Sequence, residues 1–199
     1  MIRTSLSIAS GLAAALVLVS APGAQAAVSA KDAPSQGDIV KHFPELADGE
    51  FSTDKNNKIA QPGDTCGTTA LAKAKSAVAT TGVSAAGQPL VQAGVAEVKS
   101  TGQAKTYLAA YKTYVKKCAT YTEPTTGATI TTTLTKAPKL GQAALAVVQE
   151  TSISGVTSYS TSVLVRDGKR LASVVAIDDA PIASASINKL AKVASKKMK

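Results

Sequence analysis

Two cysteines, Cys66 and Cys118, and one histidine, His42, are the scarcest chemically capable side chains in this chain of 199 residues. Cysteines that can take up metal or act as nucleophiles come in recognisable settings, such as C-x-x-C or a nearby histidine. Neither setting is present, and His42 is remote in sequence from both. In an oxidising compartment two cysteines most often pair. Their bond would close a loop of about fifty residues, worth up to about 4 kcal/mol in the chain-entropy picture. A structural disulfide is therefore expected, with no metal and no cofactor.

Other catalytic sets fare no better. A Ser/His/acid arrangement would have to use His42, which stands one residue from Pro44 on a predicted short helix. The motifs G-x-S-x-G and H-E-x-x-H and a phosphate-binding glycine loop are missing. Asp178 and Asp179 are adjacent, so on an extended chain they point in different directions and suit a strand end or helix cap. Asp32, Asp38, Glu45, Asp48, Glu50 and Asp54 lack the spacing of a calcium-binding EF-hand. The reading is of a protein that is not an enzyme. An exported hydrolase, its activity resting on His42 or on carboxylates gathered by folding, is the remote alternative.

The chain is basic, with 22 Lys and Arg against 13 Asp and Glu and a formal charge of +9. Lys189, Lys192, Lys196, Lys197 and Lys199 crowd the C-terminus, and Lys105, Lys112, Lys116 and Lys117 form a second group. Each group lies opposite an apolar stripe, as on the wet face of an amphipathic helix. Anionic cell-wall polymer or a membrane surface is a better counterpart for an exported basic chain than nucleic acid.

Export is indicated by residues 1–26. Arg3 precedes a mostly apolar run over 8–19, and Ala24-Gln25-Ala26 offers small residues where a signal peptidase reads them. The run is shorter than the roughly 20 residues of a spanning helix. Cleavage after Ala26 would leave a secreted chain of formal charge +8 without a transmembrane segment. The small, polar stretch 27–37 is expected to be a flexible leader, and 38–199 a single domain. Trp is absent and Phe occurs twice, so Ala, Val, Leu, Ile and five Tyr must fill the core.

The elements that would position any site follow from periodicity. A short helix over 38–43 stops at Pro44. Residues 53–65 read as an extended loop, and 69–79 favour a helix by Ala and Lys content, with an irregular strand as the rival. Residues 80–89 read as a loop and 90–99 as a strand irregular at Gly94. Ser100 or Thr101 can cap a helix to Cys118 whose stripe is Ala104, Leu108, Tyr111, Val115 and Cys118. Tyr107 and Tyr114 would flank that stripe with wet hydroxyls, a rim that could also line a cleft. Strands are expected over 128–135, 143–153, 157–166 and 169–177, with turns at Ser154-Gly155 and Asp167-Gly168. A last helix, capped by Ser184 or Ser186, carries Ile187, Leu190, Ala191, Ala194 and Met198 on one side. Short connections demand antiparallel neighbours, so the expected fold is α+β: a mainly antiparallel twisted sheet with helices on one face.

The order of these pieces carries a resemblance. FPELADGEF leads through a loop to Cys66. STGQAKTYLAAYKTYVKKC is followed by a Thr-rich strand, then LG, then TSVLVRDGKRLASVVAI and a basic helix. Over 38–199 this resembles the actinobacterial extracellular sensor domains like that of the mycobacterial kinase PknH. The resemblance implies an α+β fold enclosing a cleft for an unidentified small ligand. It also implies a secreted, non-enzymatic binding or sensor-like role in the cell envelope. It transfers no functional residues; Tyr114, Tyr159 and Arg166 are candidate cleft contacts as polar or aromatic groups near element ends. The alternative is a structural or adhesive envelope protein gripping anionic wall polymer through its basic C-terminal helix. Oligomeric state is left open.

Overall fold

A computed structural model describes residues 28–198. The expected signal segment lies outside the described residues. Among those described, eight strands form one sheet. They are β1 (Glu50–Pro62), β2 (Thr69–Val83), β3 (Leu90–Glu97), β4 (Thr120–Thr122), β5 (Thr129–Thr135), β6 (Ala143–Ile153), β7 (Val156–Asp167) and β8 (Arg170–Asp178). The order is β1-β2-β3-β8-β7-β6-β5-β4, with every neighbouring pair antiparallel. Three α-helices, α1 (Gln36–Val40), α2 (Thr101–Lys117) and α3 (Ser184–Lys197), complete the domain.

The single long crossover explains why α2 matters. After β3 the chain must reach β4 at the far edge, five strand spacings or about 24 Å away. The 17 residues of α2 span about 25 Å. From β4 the chain then walks back strand by strand until β8 closes against β3. Ser100 accepts a hydrogen bond from the Gln103 amide and caps the crossover helix, as the sequence suggests.

The expected α+β antiparallel class holds, but the helices divide between the two faces of the sheet rather than sharing one. Helix α3 packs on Val95, Val163, Val165 and Val174. Helix α2 packs on Ala77, Ala96, Leu164 and Leu171, which project from the other side. The reason lies in β7 and β8, whose residues 160–166 and 171–176 are buried without interruption. A strand apolar at consecutive positions needs cover on both faces.

Several expectations for the N-terminal third are overturned. Residues 28–37 are not a loose leader: Val28 and Ala33 are buried in the core beneath α3, and the Val28 amide donates to Ser76 Oγ at 2.9 Å. Residues 53–65 form most of β1 and the turn after it, and 69–79 belong to β2. Asn56-Asn57 is a bulge within β1, not a turn; Asn56 Oδ1 accepts from the Lys58 amide there. In β2, helix propensity loses to pairing, since Ala72 and Ala74 alternate with exposed Lys73 and Lys75 in a period of two. Short β4 also escapes the periodicity reading. Gly94 causes no irregularity. The register runs straight through it, and a Cβ there would stand 2.7 Å from that of Ala79. At the last hairpin Asp167 pairs with Arg170, so only Gly168 adopts positive φ, at the first turn position.

One buried charge is fully partnered. Glu97 at the end of β3 meets Lys169 at 2.7 Å, Lys75 at 3.5 Å and Arg170 at 3.6 Å. The hydrogen bond from Lys169, assisted by the neighbouring positive charges, holds its pKa below the ordinary 4.5 against the opposing effect of burial. A depressed carboxyl contributes stability that is complete above its unfolded value and drains away as pH falls through its folded one. Glu97→Gln is therefore expected to flatten the fall in stability below about pH 4.5, read by urea titrations across the acid range. An unchanged acid limb would show that other carboxylates govern it.

Candidate functional site

The candidate site grows from the face of the sheet that carries α2. Alternate residues of each strand share a face, so Ser160, Ser162, Leu164 and Arg166 of β7 point the same way. Leu164, Leu171, Leu145 and Ala96 lie beneath α2. Beyond the helix the same face turns polar. Register places Gln149 of β6 opposite both Thr132 of β5 and Ser160 of β7. One step along, Ser162 stands opposite Val175 of β8, which stands opposite Gln92 of β3. From β6 to β3 this strip spans about 15 Å.

Gln92, Gln149, Ser160, Ser162 and Thr132 are low in exposure or buried, yet they are incompletely paired. Gln92 Nε2 donates to Thr81 Oγ1 at 2.9 Å, and Gln149 Nε2 to Thr151 Oγ1 at 3.3 Å. Gln92 Oε1, Gln149 Oε1 and Ser160 Oγ are buried without a hydrogen-bond partner. Thr132 Oγ1, by contrast, donates to the Cys118 carbonyl at 2.7 Å and ties the strip to the end of α2. Among the described residues, orphaned polar atoms also occur at Asn56, in the β1 bulge, at Gln88, in the loop before β3, and at Tyr121, in β4. Only the strip gathers three on one surface. Their chemistry is two carbonyl acceptors and one hydroxyl, none ionisable.

The helix beside the strip is held rigidly. Cys66 and Cys118 are joined, with Cα atoms 5.5 Å apart. Tyr107 Oη donates to the Ala60 carbonyl at 2.6 Å and Tyr111 Oη to the same oxygen at 3.1 Å. The Gly67 amide donates to Tyr114 Oη at 2.6 Å, and Lys117 Nζ to the Asp64 carbonyl at 2.8 Å. The far end of the β1–β2 hairpin thus lies along α2. Tyr107 and Tyr114 are buried rather than forming the expected wet rim, because the hairpin covers them. Burial pushes the Tyr107 hydroxyl well above its usual pKa and that of Tyr111 up to about 12.

The three residues singled out from the sequence do not converge. Tyr114 secures the disulfide loop through Gly67. Arg166 shares the face of the strip but sits past Leu164, where Nη1 donates to Gln142 Oε1 at 2.6 Å. Tyr159 projects from the opposite face, beside Glu150 and Asp178. His42 is half-buried, and burial together with Lys41 and Lys189 lowers its pKa. The strip residues went unread because a polar period of two looks like an exposed face. The signal was present in β7, where Ser158, Ser160 and Ser162 form an S-x-S-x-S run leading into apolar sequence.

No protein-family profile matches the chain, and no curated protein sequence matches it. Among solved structures, the chain is similar to the crystal structure of the extracellular domain of PknH from Mycobacterium tuberculosis. The TM-score is 0.52 with 11% identity, over 82% of this chain and 91% of that one. At that identity the likeness is one of fold. No helix among the described residues is long and apolar enough to cross a membrane.

Proposed function

We propose that this chain is an exported, non-enzymatic binding domain of sensor type. Its ligand is a small, uncharged molecule with hydrogen-bond donors, seated on the strip from Gln92 to Gln149 beside α2. The observation that carries this reading is the set of three orphaned atoms, Gln92 Oε1, Gln149 Oε1 and Ser160 Oγ, buried on one face of the sheet. A buried polar group without a partner costs roughly 1–3 kcal/mol, and a ligand that displaces the cover over these atoms and supplies the partner recovers that energy on binding. The fold shared with an extracellular domain supports the reading.

The test follows from that cost. Ser160→Ala removes an orphaned hydroxyl and is expected to stabilise the free protein by about 1 kcal/mol, seen as a raised melting temperature. The same variant should lose part of the thermal shift that a neutral sugar, glycoside or polyol produces in the wild-type protein. A variant less stable than wild type, or a full panel of such compounds without any shift, would count against the site. Lys189, Lys192 and Lys196 of α3 are exposed, whereas Lys197 pairs with Asp38 at 3.2 Å. They motivate a second reading, adhesion to anionic wall polymer. Retention on isolated cell walls that salt fails to release would exclude it.

A further inference from the structure

The start of α3 departs from what its sequence suggests. Ser184 and Ser186 are natural caps, yet the helix begins at Ser184, its N-cap is Ala183, and no side chain caps it. The Ser186 and Ile187 amides turn back to the Ala183 carbonyl, while those of Ser184 and Ala185 find no partner among the described residues. This end of the helix borders a cavity of about 340 Å³ on the face of the sheet away from α2. Its walls come from Ser184, Ile187 and Asn188 on one side and from Thr135, Lys136, Val148 and Thr161 on the other, with Val163 and Ile182 adding apolar surface.

A helix N-terminus alone is an ordinary feature; Thr161 makes this one different. It is 6% exposed and lines the cavity, and its hydroxyl makes no hydrogen bond among the described residues. Its side chain projects from β7 on the face of Val163 and Val165, which carries α3, and so toward the cavity. Lys136 is exposed and makes no ion pair among the described residues. No carboxylate lines the space. Free amides at a helix start carry partial positive charge and bind anions, and a lysine adds a whole one. The volume lies at the lower end of the range for small-molecule sites.

We propose that this cavity is a second binding site, distinct from the neutral strip and on the opposite face. It takes a short-chain organic anion. A phosphate or carboxylate head would meet the Ser184 and Ala185 amides, Lys136 and the Thr161 hydroxyl. A short hydrocarbon body would lie against Val148, Val163, Ile182 and Ile187.

Hexyl phosphate, hexanoate and hexanol, titrated into the ¹⁵N-labelled chain, separate the contributions. The two anions should produce saturable shifts at the Ser184, Ala185 and Thr161 amides, and hexanol should bind at least about tenfold more weakly. Lys136→Met should weaken the anions about tenfold while leaving hexanol unchanged. Thr161→Val, which keeps the shape, should weaken them severalfold. Either variant with an unchanged amide spectrum elsewhere shows that the fold is intact. Equal affinity for hexanol and hexyl phosphate would reduce the cavity to an apolar crevice and overturn the proposal. So would saturation unaffected by Lys136→Met, or no saturable shift with either anion. Because Ser160→Ala acts on the other face, its loss of ligand response leaves this titration intact, and the two sites fail independently.

Discussion

Replacing Cys66 and Cys118 together by serine is expected to destabilise the domain by about 2–4 kcal/mol. The bond joins residues 52 apart, so its loss releases a large part of the unfolded chain. The loss should stay at or below the chain-entropy maximum, because other contacts already hold the hairpin end. The hydrogen bonds from Tyr107 and Tyr111 to Ala60, from Gly67 to Tyr114 and from Lys117 to Asp64 survive the replacement. Urea unfolding gives the magnitude, and hydrogen exchange gives the location. Protection should fall most at residues 63–68, between β1 and β2, and least at the β7–β8 turn around Gly168. Equal losses at both would mean that the disulfide supports the whole sheet rather than one hairpin.

The second large effect belongs to Tyr111. It is among the largest side chains fully buried in the domain, and its ring packs against that of Tyr107 with centroids 5.1 Å apart. Truncating a buried aromatic residue to alanine costs roughly 3–5 kcal/mol. In a domain of this size that lowers the melting temperature by about ten degrees or more. Tyr111→Phe should cost far less. It keeps the ring, and the Ala60 carbonyl keeps its bond from Tyr107. Tyr107→Phe combined with Tyr111→Phe leaves that carbonyl with neither donor, so the pair should cost more than the sum of the two single changes. Strict additivity in the double-mutant cycle would show that the two hydroxyls act independently.

Both effects converge on α2, which is more than a cover for the sheet. It carries the chain from the middle of the sheet to its far edge, and it receives the hairpin end through Tyr107, Tyr111 and Tyr114. Its position also decides where the polar strip begins. Leu164 and Leu145 are beneath the helix, while Ser162, Ser160 and Gln149 lie past it on the same strands.

Much of this was legible in the chain itself. The limits of α2 and its Ser100 cap, the β5 to β8 meander and the glycine turns follow from local chemistry: β-branched runs, helical spacing, and glycine at positive φ. The pairing of Cys66 with Cys118 followed from their number and from the expectation of an oxidising destination. These features are properties of neighbouring residues, and neighbours are what a sequence states directly. Tertiary structure alone decided the rest. An Ala and Lys segment became part of β2 because β1 pairs with it along its length and β3 pairs with the strand from Ser76 onward. Tyr107 and Tyr114 lost their water to a hairpin more than thirty residues away in sequence. Three orphaned polar atoms came together because the register of four strands aligned them. Period two distinguishes the faces of a strand, but only packing determines how much of each face a helix covers.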